Sequence, residues 1–183
     1  MSAISNLEKK ILLVVDTQND VMTGAFQRAE IVFNINKVVA RARSAGVPVI
    51  WVQHSDHEMP MNSHGWEIVS DLSPLQSEHR IHKTFRSAFE STNLSQILAN
   101  LSIGHIFVCG AQSNNCIRHT CHSALERGYD LTLISDAHTT TDYEWQGRSI
   151  DAEQVINEQN DNFASYALPE RSVNIVAVAD IAF

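Results

Sequence analysis

Cys116 is the residue of this sequence best suited to nucleophilic chemistry. It follows the small, polar segment 110–115, in which Ser113 is a candidate N-cap for the next helix. Cys116 would then occupy the third helical position, where free backbone N–H groups and the positive helix end favour a thiolate and could hold an oxyanion. The residues alone are equally compatible with a buried, inert cysteine, which is the simpler interpretation of Cys109 and Cys121.

Asp16 and Lys83 carry the charges that such a thiol would use. Asp16 follows five apolar residues, where an acid without a partner is costly to desolvate, and a carboxylate of matched pKa could take a thiol proton. Lys83 is one of only four lysines, and an ammonium beside an acid and a thiol would stabilise the thiolate. Considered singly, Asp16 is better explained as a turn residue bonded to its own backbone. Lys83 is better explained as a solvated surface charge.

Apolar runs that alternate with helical patterns predict the scaffold that must position these side chains. Strands are predicted where apolar and β-branched residues dominate, at 11–15, 49–52, 106–109, 131–134 and 173–178. Helices are predicted at 31–45, 94–101, 117–125 and 151–162. This alternation predicts an α/β fold, a three-layer αβα arrangement with a Rossmann-like, mostly parallel sheet, formed by 1–183 as a single domain. In such folds, chemistry gathers beyond the carboxyl ends of the strands.

The composition argues against several classes of function. Of the 183 residues, 44% are hydrophobic and 19% are charged, which is normal for a globular protein. A net charge of −8 argues against nucleic acid and against an anionic membrane surface as partners. No apolar run is long enough to cross a bilayer, no signal-peptide core is evident, and the three cysteines lack CxxC spacing. We therefore expect a cytoplasmic protein with reduced thiols.

Six short segments occur in order along the chain and are specific as a set. They are 15–20 (VDTQND), 46–54 (GVPVIWVQH), 83–89 (KTFRSAF), 110–118 (GAQSNNCIR), 128–132 (GYDLT) and 136–140 (DAHTT). With this combination the chain resembles the isochorismatase-like cysteine hydrolases over residues 11–180. That family includes nicotinamidases, N-carbamoylsarcosine amidases and ureidoacrylate amidohydrolases.

The resemblance implies a catalytic triad that works without a cofactor. Asp16 matches the general base of the family, Lys83 its lysine and Cys116 its nucleophile. The family pattern also implies a cis peptide between Ala111 and Gln112, which would aim the N–H groups of Gln112 and Cys116 at a developing oxyanion. The expected reaction is hydrolysis of an amide or carbamoyl C–N bond in a small molecule through a thioester. Relatives are commonly dimers or tetramers, so the resemblance also implies a homo-oligomer.

A histidine-rich loop after the second strand departs from the nicotinamidases, which bind a metal there through an Asp and several histidines. Here the loop contains His54, Asp56 and His57, followed by His64, and the order and spacing do not reproduce that ligand set. Asp56, His54 and His57 remain candidate ligands, because His and Asp side chains bind zinc. The expectation is nevertheless a metal-free site.

Four further side chains are candidates for substrate contacts: Gln18, Trp66, Phe85 and His138. Each has a plainer alternative as a turn hydrogen bond, as apolar packing or as a structural histidine. The polar segment 139–148 contains two aromatic residues, Tyr143 and Trp145. Aromatic residues in such polar surroundings are typical of a lid or a subunit contact.

Two other functions are compatible with the same residues. The first is a non-catalytic binding or thiol-sensing module, because a fold does not fix a function. Alkylation of each cysteine against pH separates that module from an enzyme, in which Cys116 is expected to have a depressed pKa and to react fastest. The second is an isochorismatase-type vinyl ether hydrolase. The presence of Cys116 favours attack on an acyl carbon, and released ammonia distinguishes the two reactions.

Overall fold

A computed structural model describes residues 8–183, in which strands and helices alternate along most of the chain. The strands are β1 (Lys9–Val15), β2 (Val49–His54), β3 (His79–Lys83), β4 (Ile103–Ala111), β5 (Asp130–Thr139), β6 (Tyr143–Trp145), β7 (Arg148–Ile150) and β8 (Val173–Val176). The helices are α1 (Asn19–Met22), α2 (Arg28–Ser44), α3 (Leu94–Asn100), α4 (Arg118–Glu126) and α5 (Ala152–Ala164). A π-helical turn (Ser113–Ile117) precedes α4, and a 3₁₀ turn (Val178–Asp180) follows β8.

Six of the strands form one parallel sheet in the order β3-β2-β1-β4-β5-β8. The five predicted strands and the four predicted helices are all present, and the predicted α/β class is confirmed. β1 occupies the middle of the sheet, so its residues Ile11 to Val15 are fully buried. This explains why the run contains no polar residue: a strand covered on both faces has no solvent-facing side.

Helices cover both faces of the sheet and produce two hydrophobic cores. On one face, Leu13 and Val15 of β1 pack with apolar residues of α3, α4 and α5. On the other face, Leu12 and Val14 pack with the apolar stripe of α2. Alternate residues of one strand therefore belong to different cores, which is the three-layer αβα arrangement predicted from the sequence.

The sheet brings β4 unusually close to the end of β1. Gly110 of β4 pairs with Val15 of β1 and has a φ of +120°. A Cβ atom at this position would lie 2.0 Å from the carbonyl oxygen of Val15, so only glycine fits. Because of this close approach, the turn that leaves β4 begins directly beside Asp16, the residue after β1.

β5 continues beyond the end predicted for it. Its register against β4 jumps from the pair Val108–Leu133 to the pair Gly110–His138, so β5 has an irregular bulge in between. After the bulge the strand runs on to Thr139, beside the turn that follows β4. β6 and β7 form a separate antiparallel hairpin. Within residues 8–183, none of the helices combines the length and apolar character that a membrane span requires.

Candidate active site

The carboxyl ends of three strands bring Asp16, Lys83 and Cys116 together. Asp16 follows β1, Lys83 is the last residue of β3, and Cys116 lies on the π-helical turn after β4. Nζ of Lys83 lies 2.6 Å from Oδ2 of Asp16 and donates a hydrogen bond to Sγ of Cys116 at 3.2 Å. The ammonium thus bridges the acid and the sulfur.

Asp16 and Lys83 form an ion pair in the protein interior. Asp16 is 1% exposed and Lys83 is 2% exposed, so the pair is almost entirely shielded from solvent. Burial by itself would lower the pKa of Lys83, but the charge of Asp16, the neighbouring Cys116 and the hydrogen bonds to both raise it overall. Lys83 is therefore a permanent cation at neutral pH. Among the described residues, Oδ1 of Asp16 has no hydrogen-bond partner and is free to accept a proton.

The sulfur of Cys116 is held as a thiol in the resting site. Burial and the adjacent negative charge of Asp16 raise its pKa to about 12, and the opposing effect of Lys83 does not offset them. The expectation of a depressed pKa was therefore wrong, because burial and Asp16 dominate over Lys83. The arrangement is suited to removal of the thiol proton by Asp16 during attack, since Lys83 contacts both the acid and the sulfur.

The turn that carries Cys116 differs from the predicted helix start. Residues Ser113–Ile117 form a π-helical turn, and Gln112 occupies the capping position without a capping hydrogen bond from its side chain. Ser113 is thus not the N-cap: its hydroxyl contacts Nδ1 of His138 at 2.7 Å. The peptide between Ala111 and Gln112 is cis, as the resemblance implied. The oxyanion role of the Gln112 and Cys116 N–H groups stays a prediction.

A cavity of about 370 Å³ opens in front of the sulfur and the acid. This volume suits a small molecule, since ligand sites measure roughly 300–1,000 Å³. Most of its lining residues are polar or charged; the lining comprises Asp16, Asp20, Val21, His54, Asp56, Glu58, Met59, Arg86, Gln112, Asn115 and Cys116. Asp20, Arg86 and Asn115 lie within the family-like segments, so their place in the motifs was the available signal, but no role was predicted for them.

Gln18 lies outside the lining of this cavity and serves the scaffold. Its Nε2 donates to the carbonyl oxygens of His54 and Trp66, both at 2.9 Å, and its Oε1 accepts from the N–H of His54 at 2.7 Å. Both ends of the amide are therefore occupied by backbone. The structure thus supports the alternative interpretation, a hydrogen-bonding residue that joins the loop after β1 to the end of β2.

The other three candidates for substrate contact also lie away from the cavity lining. Trp66 stacks on the ring of His82 with the ring centroids 5.3 Å apart. Phe85 is 53% exposed and lines a neighbouring recess together with Arg86 and His119. His138 is fully buried behind the Cys116 turn. None of these three side chains faces the reacting groups directly.

The candidate metal ligands do not converge on one point. Nε2 of His54 contacts Oδ2 of Asp56 at 3.1 Å, whereas His57 is 89% exposed and faces Glu58. The N–H groups of Glu58 and Met59 also bond to Asp56 and, with His54, hold its pKa low. In the chain from residue 8 onward, no three His, Cys, Asp or Glu side chains are grouped closely enough to hold a metal ion.

Comparison with known proteins identifies the relationship. The sequence model of a protein family, the isochorismatase domain, matches residues 10–158 of this chain. The chain belongs to the isochorismatase family. It is 33% identical over 156 residues to the uncharacterized isochorismatase family protein YddQ of Bacillus subtilis (strain 168), covering 79% of this chain and 85% of that protein. As a family member with this site, the protein is an isochorismatase-family hydrolase.

Two further similarities come from an enzyme and from a solved structure. Streptothricin hydrolase of Streptomyces noursei is 33% identical over 137 residues, which cover 72% of this chain and 50% of that enzyme. The crystal structure of an isochorismatase from Pseudomonas putida KT2440 superposes with a TM-score of 0.85 at 26% identity, covering 97% of this chain and 92% of that one. The fold described above is therefore that of an isochorismatase-family protein over nearly its whole length.

Proposed function

We propose that this isochorismatase-family hydrolase cleaves an amide or carbamoyl C–N bond of a small molecule through a thioester on Cys116. The observation that carries the proposal is the position of Lys83 Nζ, 2.6 Å from Asp16 and 3.2 Å from the sulfur of Cys116. A cation between a base and a thiol, beside a cavity of small-molecule size, favours covalent attack on an acyl carbon.

The first half of the reaction acylates the sulfur. Asp16 takes the proton of the Cys116 thiol as Sγ attacks the carbonyl carbon, and the carbonyl π electrons move to the oxygen. Lys83 remains close to both groups and stabilises the negative charge as it moves from the carboxylate to the sulfur. The C–N bond then breaks, and Asp16 returns its proton to the departing nitrogen. Ammonia or an amine leaves, and an acyl thioester remains on Cys116.

The oxyanion formed in this step requires hydrogen-bond donors. Gln112 and Cys116 both border the cavity, and their backbone N–H groups are the proposed donors. Loss of one such donor typically costs about 3–4 kcal/mol of transition-state stabilisation. The conformation of the turn after β4 is accordingly as important for the rate as the identity of the nucleophile.

The second half of the reaction releases the acid. Asp16, ionised again, takes a proton from a water molecule that attacks the thioester carbon, and the C–S bond breaks. The sulfur leaves as a thiolate beside Lys83 and takes the proton from Asp16. The net reaction consumes water and produces a carboxylic or carbamic acid and ammonia or an amine. The sequence similarity to a streptothricin hydrolase supports hydrolysis as the reaction class.

The test is a comparison of two substrate panels with the wild-type protein. We expect release of ammonia from at least one member of a panel of small primary amides and ureido acids. A matched panel of vinyl ethers without nitrogen is expected to give no cleavage. Cleavage of a vinyl ether with no ammonia from any amide would replace this proposal with the vinyl ether reaction. No turnover of either panel would favour a binding or thiol-sensing module.

A further inference from the structure

A chain of buried hydrogen bonds lies behind the turn that carries Cys116. The hydroxyl of Ser113 contacts Nδ1 of His138 at 2.7 Å, and Nε2 of His138 contacts Oδ1 of Asn160 at 3.0 Å. Nδ2 of Asn160 in turn donates to the carbonyl oxygen of Ser135 at 3.2 Å. Ser113 and His138 are both 0% exposed, so the bond between them is shielded from water, whereas the contacts of Asn160 are partly buried.

The directions of these bonds follow from the groups involved. Because the Oδ1 of Asn160 can only accept, Nε2 of His138 carries the ring proton. Nδ1 is then the acceptor, and the hydroxyl of Ser113 donates to it. Burial lowers the pKa of His138 and keeps the ring neutral. Each ring nitrogen thus has one partner, and the ring has a single allowed orientation.

We propose that His138 is a positioning residue that fixes the Cys116 turn at the distance from Lys83 that the chemistry requires. The inference rests on the proposed function. Ser113 is the first residue of the π-helical turn, and Cys116 is the fourth. The residue after β5 contributes a second link, since the hydroxyl of Thr140 donates to Oδ1 of Asn114 at 2.9 Å. Two consecutive residues of the turn are therefore held by β5 and by the residue that follows it.

The geometry gives these links a direct effect on the sulfur. In the strand order, β3 lies on one side of β4 and β5 lies on the other. Lys83 reaches Cys116 from β3, whereas the turn is held from β5. The 3.2 Å contact between Lys83 and Cys116 therefore depends on two separately placed elements. If the turn loses its link to His138, the sulfur is free to move away from the ammonium. Burial and the charge of Asp16 raise the pKa of Cys116, and the charge of Lys83 lowers it, so a displaced turn changes the thiolate fraction at a given pH.

The chain offers a matched control for a purely structural role. Nε2 of His105 contacts the hydroxyl of Thr132 at 2.8 Å, again between a histidine and a buried hydroxyl group. This pair also joins β4 to β5, but it lies near the amino ends of the strands, away from Cys116. Thr132→Val removes the same type of bond as Ser113→Ala without touching the turn.

The experiment measures the rate of Cys116 alkylation by iodoacetamide at pH 9, with the labelled peptide identified by mass spectrometry. We expect Ser113→Ala to change the alkylation rate of Cys116 by at least about threefold and to lower kcat by about tenfold, with KM changed by less than about twofold. Thr132→Val is expected to lose similar thermal stability while keeping the wild-type alkylation rate and kcat. Alkylation of a folded Ser113→Ala variant at the wild-type rate would overturn the proposal.

A second pair of variants decides the question if Ser113→Ala does not fold. His138→Asn places an amide oxygen near the position of Nδ1 and keeps an acceptor for Ser113, whereas His138→Gln places an amide nitrogen near Nε2 and keeps only the Asn160 contact. We expect Cys116 to be alkylated at about the wild-type rate in His138→Asn and at a rate at least about threefold different in His138→Gln. Equal rates would contradict the positioning role. Alkylation needs no substrate, so it can be measured even if the protein hydrolyses no amide. Failure of the positioning role can therefore be distinguished from failure of the proposed amide hydrolysis.

Discussion

Nζ of Lys83 lies 2.6 Å from Oδ2 of Asp16, and both side chains are almost completely buried. The two residues are far apart in sequence and reach each other only because β3 and β1 lie in one parallel sheet with β2 between them. A buried ion pair of this kind contributes little net stability, yet either member alone would be a costly unpaired charge. Its presence is better explained by chemistry at Cys116, which Lys83 also contacts.

Removal of one member of this pair is expected to destabilise the protein strongly. Lys83→Met leaves the Asp16 carboxylate buried without a counter-ion, which typically costs about 3–5 kcal/mol in the free energy of unfolding. Urea titration is the measurement. Lys37→Met is the control, because Lys37 is exposed and stacks on the ring of Phe33, so its loss should change the free energy by no more than about 1 kcal/mol.

The double variant Asp16→Asn, Lys83→Met extends this test. We expect its free energy of unfolding to fall by less than the sum of the two single losses, since no unpaired charge is left behind. Additive losses would show that the two side chains do not interact in solution. All three variants are expected to lose turnover.

Cys116 and Cys121 are expected to differ sharply in their effect on activity. Cys116→Ala removes the proposed nucleophile and should abolish turnover, whereas Cys121→Ala should leave it near the wild-type rate. Cys121 is fully buried on the core-facing side of α4, so its substitution affects packing instead of chemistry. The measurement is ammonia release per folded protein. Retention of most activity by Cys116→Ala would exclude it as the nucleophile.

The pH dependence of Cys116 alkylation follows from its raised pKa. With a pKa of about 12, the thiol is protonated throughout the neutral range. The thiolate fraction, and hence the rate, should therefore rise about tenfold per pH unit between pH 7 and pH 10 without a plateau. A plateau below pH 8 would indicate a depressed pKa and contradict the site electrostatics described here.

Charge removal on either side of the sulfur is expected to act in opposite directions. The charge of Asp16 raises the pKa of Cys116 and that of Lys83 lowers it. Asp16→Asn should thus speed alkylation at pH 8, and Lys83→Met should slow it. Because Asp16→Asn also removes the proposed base, alkylation should rise while turnover falls. A fall in the alkylation rate of Asp16→Asn would contradict the conclusion that the charge of Asp16 raises the pKa of Cys116.

Gly110 is expected to be indispensable for the approach of β4 to β1. Gly110→Ala combines a positive φ with a Cβ atom 2.0 Å from the Val15 carbonyl oxygen, so we expect a loss of about 3 kcal/mol or more in the free energy of unfolding. Gly24→Ala is the control, since Gly24 also has a positive φ but has open space around it. That substitution should cost only about 1–2 kcal/mol. Similar losses would mean that the close contact is relieved by a backbone shift.

The central strands could be predicted because burial on both faces requires continuous apolar runs, as in β1. β3 could not be predicted in this way. It is an edge strand, in which only Ile81 and Lys83 are buried while His79, Arg80 and His82 are exposed. The segment therefore lacks the apolar run from which a strand is predicted. The burial of Lys83 results from its pairing with Asp16, which the composition of β3 does not reveal.

The interactions behind the site also depend on contacts that local sequence does not record. Ser113 has the residue type of an N-cap, but its hydroxyl bonds to His138 because β5 resumes after its bulge and places that ring beside the turn. The pKa of Cys116 likewise depends on burial and on Asp16, both of which are properties of the assembled sheet. Tyr143 and Trp145 are exposed on the β6–β7 hairpin, and the expected homo-oligomer stays a prediction.

The most direct measurement is the mass of the protein during turnover. The wild-type protein is mixed with an amide or ureido acid that it hydrolyses, quenched in acid, and digested for peptide mass spectrometry. The account predicts a mass increase equal to the acyl fragment on the peptide that contains Cys116, and no increase in the Cys116→Ala variant. Turnover without any adduct on Cys116, or an adduct that persists in Cys116→Ala, would contradict the thioester mechanism.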